Sequence, residues 1–262
     1  MINKEVNAEI LRRLEAAEIE HDVKIILAVE SGSRAWGFES INSDYDARFI
    51  YVHRPEWYHS VGLEEKRDVI EYPIVDDLDI NGWDLRKALR LYWKSNPAFV
   101  EWVQSPQIYK EYTDFKSKVL NIVHDVYSIE SGIYHYKSMA KNNFRGYLKE
   151  ELVPLKKYFY VLRPLLSVLW LEKYNRPAPI EFGKLLHLIG EQKNLCKSIE
   201  ELLLAKRSGL ELGLSAQIPE IHMFVEAELE RLERITPDHI ERKNVEPKLS
   251  EIFRAVLRDA WA

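Results

Sequence analysis

A chain of 262 residues, 46% of them hydrophobic and 30% charged, carries enough apolar material to bury a core, which excludes disorder as its main state. Its 37 Lys and Arg against 42 Asp and Glu leave a formal charge of −5, so a histone-like basic excess is excluded and any nucleic-acid contact must use a local patch. The single cysteine, Cys196, excludes an internal disulfide and a multi-cysteine zinc site.

Val6, Ile10, Leu14 and Ala17 recur at helical spacing, and Val23 to Val29 then reads as a short buried strand rich in β-branched residues. The small-residue turn Glu30-Ser31-Gly32-Ser33-Arg34-Ala35-Trp36-Gly37 follows, before a second strand from Tyr45 to Val52. Val69 to Val75 and Asp77 to Ile80 predict two more strands, separated or bulged near Pro73; Asn81-Gly82 is expected to end that run, with a helix from about Trp83. From Tyr112 onward β-branched runs are few, and Glu200 to Leu204 and Ile221 to Leu232 carry leucines at helical spacing. Pro154, Pro164, the Pro177/Pro179 pair, Gly209/Gly213 and Pro237 are expected to divide this half into roughly five or six helices. The fold expected is α+β: a mixed-sheet domain with helices over residues 1–110, then an all-helical domain over residues 111–262, with the boundary near Pro106 to Thr113. The start Met1-Ile2-Asn3-Lys4-Glu5 lacks the apolar run of a signal peptide, and the most apolar stretch, Tyr158 to Leu171, is broken by Arg163 and Pro164 short of the about 20 residues a span needs. A cytoplasmic protein without a membrane segment is expected.

The segment from Gly32 to Asp46 carries the chemistry. A Gly-Ser at the end of a strand lets backbone amides and a hydroxyl approach phosphate oxygens, and a helix start there adds partial positive charge. Asp44 and Asp46 open the next strand, where the two-residue period points both carboxylates to one face, close enough to share divalent metals. A P-loop does not fit, because Phe38 and Glu39 stand where its Lys and Ser/Thr belong, and the second glycine of a dinucleotide fingerprint is missing after Gly32-Ser33-Arg34. The string Gly32-Ser33 followed by Ser43-Asp44-Tyr45-Asp46 resembles the signature of the DNA-polymerase-beta-like nucleotidyltransferases. Within that superfamily, Glu30 to Gly37, Asp79-Ile80-Asn81-Gly82-Trp83-Asp84-Leu85-Arg86-Lys87, Ser95-Asn96-Pro97, Glu101-Trp102 and Lys156 to Leu165 are similar to the RNA-repair-pathway nucleotidyltransferases.

The resemblance implies two Mg²⁺ ions, with Mn²⁺ as a possible substitute, held by Asp44, Asp46 and a third carboxylate on a neighbouring strand. Asp79 is the choice for the third, with Asp77 as runner-up, since alternation puts both on one face and Asp76 on the other. Gly32, Ser33, Arg34 and Ser43 are the expected nucleotide-binding residues of this motif. Ser33 doubles as a helix cap, Arg34 reads equally as phosphate clamp or surface charge, and Asp84 reads first as an acid in the first turn of a helix.

In the second half, Lys137, Lys141, Arg145 and Lys149 recur every four positions, one drifting stripe on a helix. Between Lys137 and Arg163 seven basic residues face two acidic ones, Glu150 and Glu151, with Phe144, Tyr147, Tyr158 and Tyr160 available to stack on bases. The stripe also reads as a solvated helix face. The resemblance assigns Lys156, Lys157, Tyr158 and Arg163 to nucleotide contact, Lys157 and Arg163 reading equally as members of structural ion pairs, while Lys141 and Arg145 are the candidate RNA contacts. The histidines show no helical zinc spacing, no nucleophile elbow is present, and Trp83, Trp93 and Trp102 read as helix packing. The activity expected is transfer of a nucleoside monophosphate from an NTP to a hydroxyl, with an RNA or tRNA 3′ end as acceptor. The alternatives are transfer of AMP to a protein or small molecule and a non-catalytic nucleotide- or RNA-binding protein.

Overall fold

The computed structural model describes residues 2–209, 213–235 and 244–262, so Pro237 lies outside the described residues. The chain divides into two compact units, one containing residues 2–35, 44–126 and 244–262, the other residues 36–43 and the described residues from 127 to 235.

In the first unit, helix α1 (Lys4–His21) is capped by Asn3, whose side chain accepts the Glu5 amide at 3.0 Å, and turns at Asp22 in the left-handed region into strand β1 (Val23–Glu30). Helix α2 (Gly32–Trp36), β2 (Tyr45–His53), β3 (Val69–Glu71) and β4 (Leu78–Asp84) follow, then α3 (Leu85–Trp93), α4 (Pro97–Gln104) and β5 (Ile108–Glu111). The five strands form one mixed sheet in the order β3-β4-β2-β1-β5, with β2 and β4 parallel and the other neighbours antiparallel. One face buries Val23, Ile25, Ala47, Phe49, Tyr51, Leu78 and Ile80 against Ile10 and Leu14 of α1. Side-chain alternation therefore sends Asp46 and Arg48 of β2, and Asp79 and Asn81 of β4, to the opposite face.

Asn81-Gly82 does not end the run, and β4 continues to Asp84. Gly82 is opposite Phe49 in the ladder, and a Cβ on it would lie 2.2 Å from the Phe49 ring, so the glycine serves ring packing within the strand. Trp83 is thus a strand residue, stacked on Trp102 of α4 at 3.8 Å between centroids. Asp84 is the N-cap of α3. It is buried, accepts the Arg86 amide at 2.8 Å and the Tyr58 hydroxyl at 2.6 Å, and burial pushes its carboxyl up to about 6. Because the folded state holds this proton more tightly than the unfolded chain, the contribution is most favourable below the unfolded value near 4 and declines as pH rises to about 6. Asp84→Asn keeps the cap without the charge. It should flatten that part of the stability curve and be the more stable protein at pH 8 by on the order of 2 kcal/mol, read from urea unfolding at pH 5 and pH 8; a variant less stable at both would contradict this.

The expected boundary near Pro106 to Thr113 falls on β5, which pairs with β1 inside the first unit, and that unit continues to residue 126. It also takes back helix Glu246–Ala260, whose Leu249, Ile252, Val256 and Ala260 are buried and after which Trp261 Nε1 donates to the His53 carbonyl at 2.8 Å.

The second unit is mainly helical: α5 (Ile129–Tyr147), α6 (Phe159–Tyr174), α7 (Lys193–Arg207) and α8 (Pro219–Arg234). It also holds a two-stranded ladder, β6 (Leu152–Pro154) with β7 (Leu214–Ala216), that the helical pattern hides. Pro164 lies inside α6, which continues because Leu162, Leu165, Leu166 and Val168 are all buried. Residues 36–43 pack here: Phe38 stacks on Phe159 at 4.8 Å, and Arg207 Nη2 donates to the Gly37 carbonyl at 2.8 Å. Among the described residues no helix is long and apolar enough to cross a membrane.

Candidate active site

Two reciprocal bonds lock the end of β1 to the start of β2. The Ser31 amide donates to the Asp46 carbonyl at 2.9 Å, and the Asp46 amide donates to Glu30 Oε1 at 3.0 Å. Glu30 is 1% exposed and takes a second hydrogen bond from the Tyr109 hydroxyl; burial pushes its carboxyl up to about 7. Its carbonyl accepts the Ser105 hydroxyl at 2.6 Å. The chain then turns at Gly32, with φ of +57°, into α2, whose first turn carries Ser33. Gly32 is pressed against the Asp46 side chain: a Cβ there would lie 1.9 Å from Asp46 Oδ2.

In the parallel ladder Asp46 stands directly beside Asp79. The two carboxylates share one guanidinium nitrogen, Arg48 Nη2, at 2.9 Å from Asp46 Oδ1 and 2.6 Å from Asp79 Oδ2. Arg48 Nη1 also donates to the Asp79 carbonyl at 2.7 Å, and Asn81 Nδ2 donates to Asp79 Oδ1 at 2.5 Å. Burial raises the Asp46 pKa, with Asp79 and Asp44 pushing the same way and Arg48 opposing. Asp44 is exposed; its carbonyl accepts Arg34 Nε at 3.2 Å, and the Arg34 guanidinium lies 3.8 Å from the Tyr45 ring centroid. Asp77 is in the left-handed turn before β4, where its carbonyl accepts the Tyr45 amide at 2.8 Å, and Asp76 pairs with Arg13 at 2.7 Å. Asp79, rather than Asp77, is the carboxylate beside Asp46.

Among the described residues no three His, Cys, Asp or Glu side chains are grouped to hold a metal ion. The donor set nonetheless suits a hard divalent cation, because Asp46 and Asp79 present carboxylate oxygens side by side and the charge of Asp44 reaches the same place.

Other expected site residues belong to the second unit. The Ser43 hydroxyl is 3.1 Å from that of Ser40 and accepts the Ser40 amide at 2.9 Å, closing a turn. Lys156 is exposed, while Lys157 Nζ lies 4.1 Å from the Tyr147 ring and 4.9 Å from the Tyr160 ring; neither lysine has a carboxylate partner among the described residues. Tyr158 is fully buried and its hydroxyl accepts the Ile218 amide at 3.2 Å, so it packs as a core residue. Arg163 is 2% exposed, with its guanidinium 4.6 Å from the Trp36 ring. Lys141 bonds to Glu233, which also lies 3.7 Å from Lys137, so half the basic stripe has its own counter-charge; Arg145 is exposed.

Three participants escaped sequence reasoning. Arg48 had a signal, since it is two residues beyond Asp46 on the same strand face. Glu30 and Asn81 stood inside the stretches that carry the family resemblance but were given no role, Glu30 closing an apolar strand and Asn81 read as a strand terminator.

Residues 6–255 match the model of the RNA repair pathway DNA polymerase beta family, nearly the whole chain, and this makes the protein a polymerase-beta-like nucleotidyltransferase. The chain belongs to that family. It is also 43% identical over 253 residues to the uncharacterized protein YcgL of Bacillus subtilis (strain 168), covering 96% of each chain. A solved nucleotidyltransferase-like protein from Exiguobacterium sibiricum 255-15 aligns with 95% of this chain and 79% of its own at 14% identity and a TM-score of 0.30, too loose a likeness to bear on the chemistry.

Proposed function

We propose that this nucleotidyltransferase moves a nucleoside monophosphate from an NTP to the 3′ hydroxyl of an RNA, tRNA included, in the cytoplasm and with Mg²⁺, for which Mn²⁺ can substitute. The observation that carries the reading is the Asp46 carboxylate, packed against Gly32 at the strand-to-helix turn and in register with Asp79. Asp44, Asp46 and Asp79 are the residues assigned to hold the metal. Bound there, divalent cations neutralise triphosphate charge and lower the pKa of the attacking hydroxyl.

The chain's own groups do the rest. The Gly32 turn and the Ser33 hydroxyl approach phosphate oxygens, Arg34 adds a positive charge, and Ser43 belongs to the same motif. The acceptor oxygen bonds to the α-phosphorus, and the bond from that phosphorus to the β-bridging oxygen breaks. Pyrophosphate leaves with the electron pair, and the hydroxyl proton passes to solvent. Lys156, Lys157 and Arg145 supply positive charge for RNA or triphosphate, with Tyr147 and Tyr160 as stacking surfaces. Lys156→Ala with Lys157→Ala should weaken RNA binding and lower the slope of log affinity against log salt by roughly 1.4. Equal affinity at low and high salt in both proteins would remove the patch from the account.

The test is incubation with each α-labelled NTP, Mg²⁺ or Mn²⁺, and a total RNA pool, resolved on a denaturing gel. Label in RNA supports the reading and reports the preferred NTP and acceptor size together. Label in protein bands would assign AMP transfer to a protein instead, and NTP binding with no label anywhere would favour a binding protein.

A further inference from the structure

Three of the four carboxylate oxygens of the Asp46–Asp79 pair already accept hydrogen bonds. Asp46 Oδ1 and Asp79 Oδ2 accept the same Arg48 nitrogen, at 2.9 and 2.6 Å; Asp79 Oδ1 accepts Asn81 at 2.5 Å, and Asp46 Oδ2 is pressed against Gly32. The Arg48 side chain is 17% exposed and further fixed by its bond to the Asp79 carbonyl at 2.7 Å. A cation bridging the two carboxylates binds beside the oxygens that Arg48 holds, and it brings positive charge to where a guanidinium already stands.

We propose that Arg48 is a built-in counter-ion of this carboxylate pair, a positioning residue that holds Asp46 and Asp79 together without metal and must release them when a divalent cation binds. This rests on the metal-dependent reading above. Metal affinity without nucleotide is then set low by competition from within the chain, and loading is coupled to movement of one side chain. A purely structural arginine would stay in place, and its removal would loosen the two aspartates and weaken metal binding. The competition model predicts the opposite sign.

The probe is Mn²⁺ alone, its free concentration followed by electron paramagnetic resonance at one fixed pH without NTP. Arg48→Gln, checked for folding by circular dichroism, is expected to bind Mn²⁺ about tenfold more tightly than wild type, and Arg48→Lys, which keeps the charge, to stay within about twofold of it. Equal or weaker binding by a folded Arg48→Gln would overturn the proposal. Should that variant fail to fold, wild-type protein with ¹⁵N-labelled arginine provides the readout. The hydrogen-bonded guanidinium signal absent from Arg48→Lys should disappear as Mg²⁺ is added, and its persistence at saturating Mg²⁺ would overturn the proposal equally. If neither wild type nor variant binds Mn²⁺, the metal-dependent reading fails and takes this inference with it; equal binding by both removes the inference alone.

Discussion

Gly32→Ala is expected to cost more function than any other single methyl group added to this chain. With φ at +57°, an alanine there is strained before it meets a neighbour, and its Cβ would sit 1.9 Å from Asp46 Oδ2 and 2.8 Å from Asp46 Cγ. Asp46 is short, is held on its far side by Arg48, and has its backbone tied to both Ser31 and Glu30, so it cannot swing aside without leaving Asp79. The backbone strain costs about 1 to 3 kcal/mol of stability. Displacing the carboxylate should lower turnover roughly a hundredfold or more, since misplacement by about an ångström costs on that order. Urea unfolding and initial rates measure the two effects separately, and a folded variant with wild-type turnover would show that Asp46 need not touch the Gly-Ser turn.

Asp46→Asn should remove turnover while the chain still folds. The amide keeps the shape and a carbonyl oxygen for Arg48, so the sheet loses little, but it lacks the charge a divalent cation requires. Because Asp46 is a carboxylate held against its inclination, with burial, Asp79 and Asp44 all raising its pKa, its neutral substitute should fold at least as stably as wild type above neutral pH. The loss of several kcal/mol of charge stabilisation in the transition state corresponds to roughly a thousandfold in rate. Circular dichroism, unfolding and turnover on one preparation check both halves, and substantial turnover in the variant would exclude a metal-binding role for this residue.

Much of the first unit was legible because its signals are local. The apolar run in Val23 to Val29 and the aromatic and β-branched residues of Tyr45 to Val52 mark β1 and β2 to within a residue, and the Gly-Ser turn with Asp44 and Asp46 lies within a stretch of fifteen residues. What stayed hidden depends on partners far away in sequence. Gly82 reads as a strand end until Phe49 is seen to need its missing side chain, and Leu214 to Ala216 reads as loop until it pairs with Leu152 to Pro154. The return of Glu246–Ala260 to the first unit leaves no mark in its own amphipathic pattern, which is compatible with any apolar surface. At the site, the choice between Asp77 and Asp79 waited on strand register, and the sharing of Arg48 between Asp46 and Asp79 became visible only when β2 and β4 were placed side by side. In the helical unit, periodicity exposed the basic stripe but not Glu233, which lies more than ninety residues from Lys141.

The most direct measurement takes wild type and Asp46→Asn with an α-labelled NTP, Mg²⁺, and one short RNA offered with either a free or a blocked 3′ hydroxyl. The account predicts label in the free RNA with wild type only, with one pyrophosphate released per nucleotide joined. Label that enters the blocked RNA, or enters equally with Asp46→Asn, would contradict it.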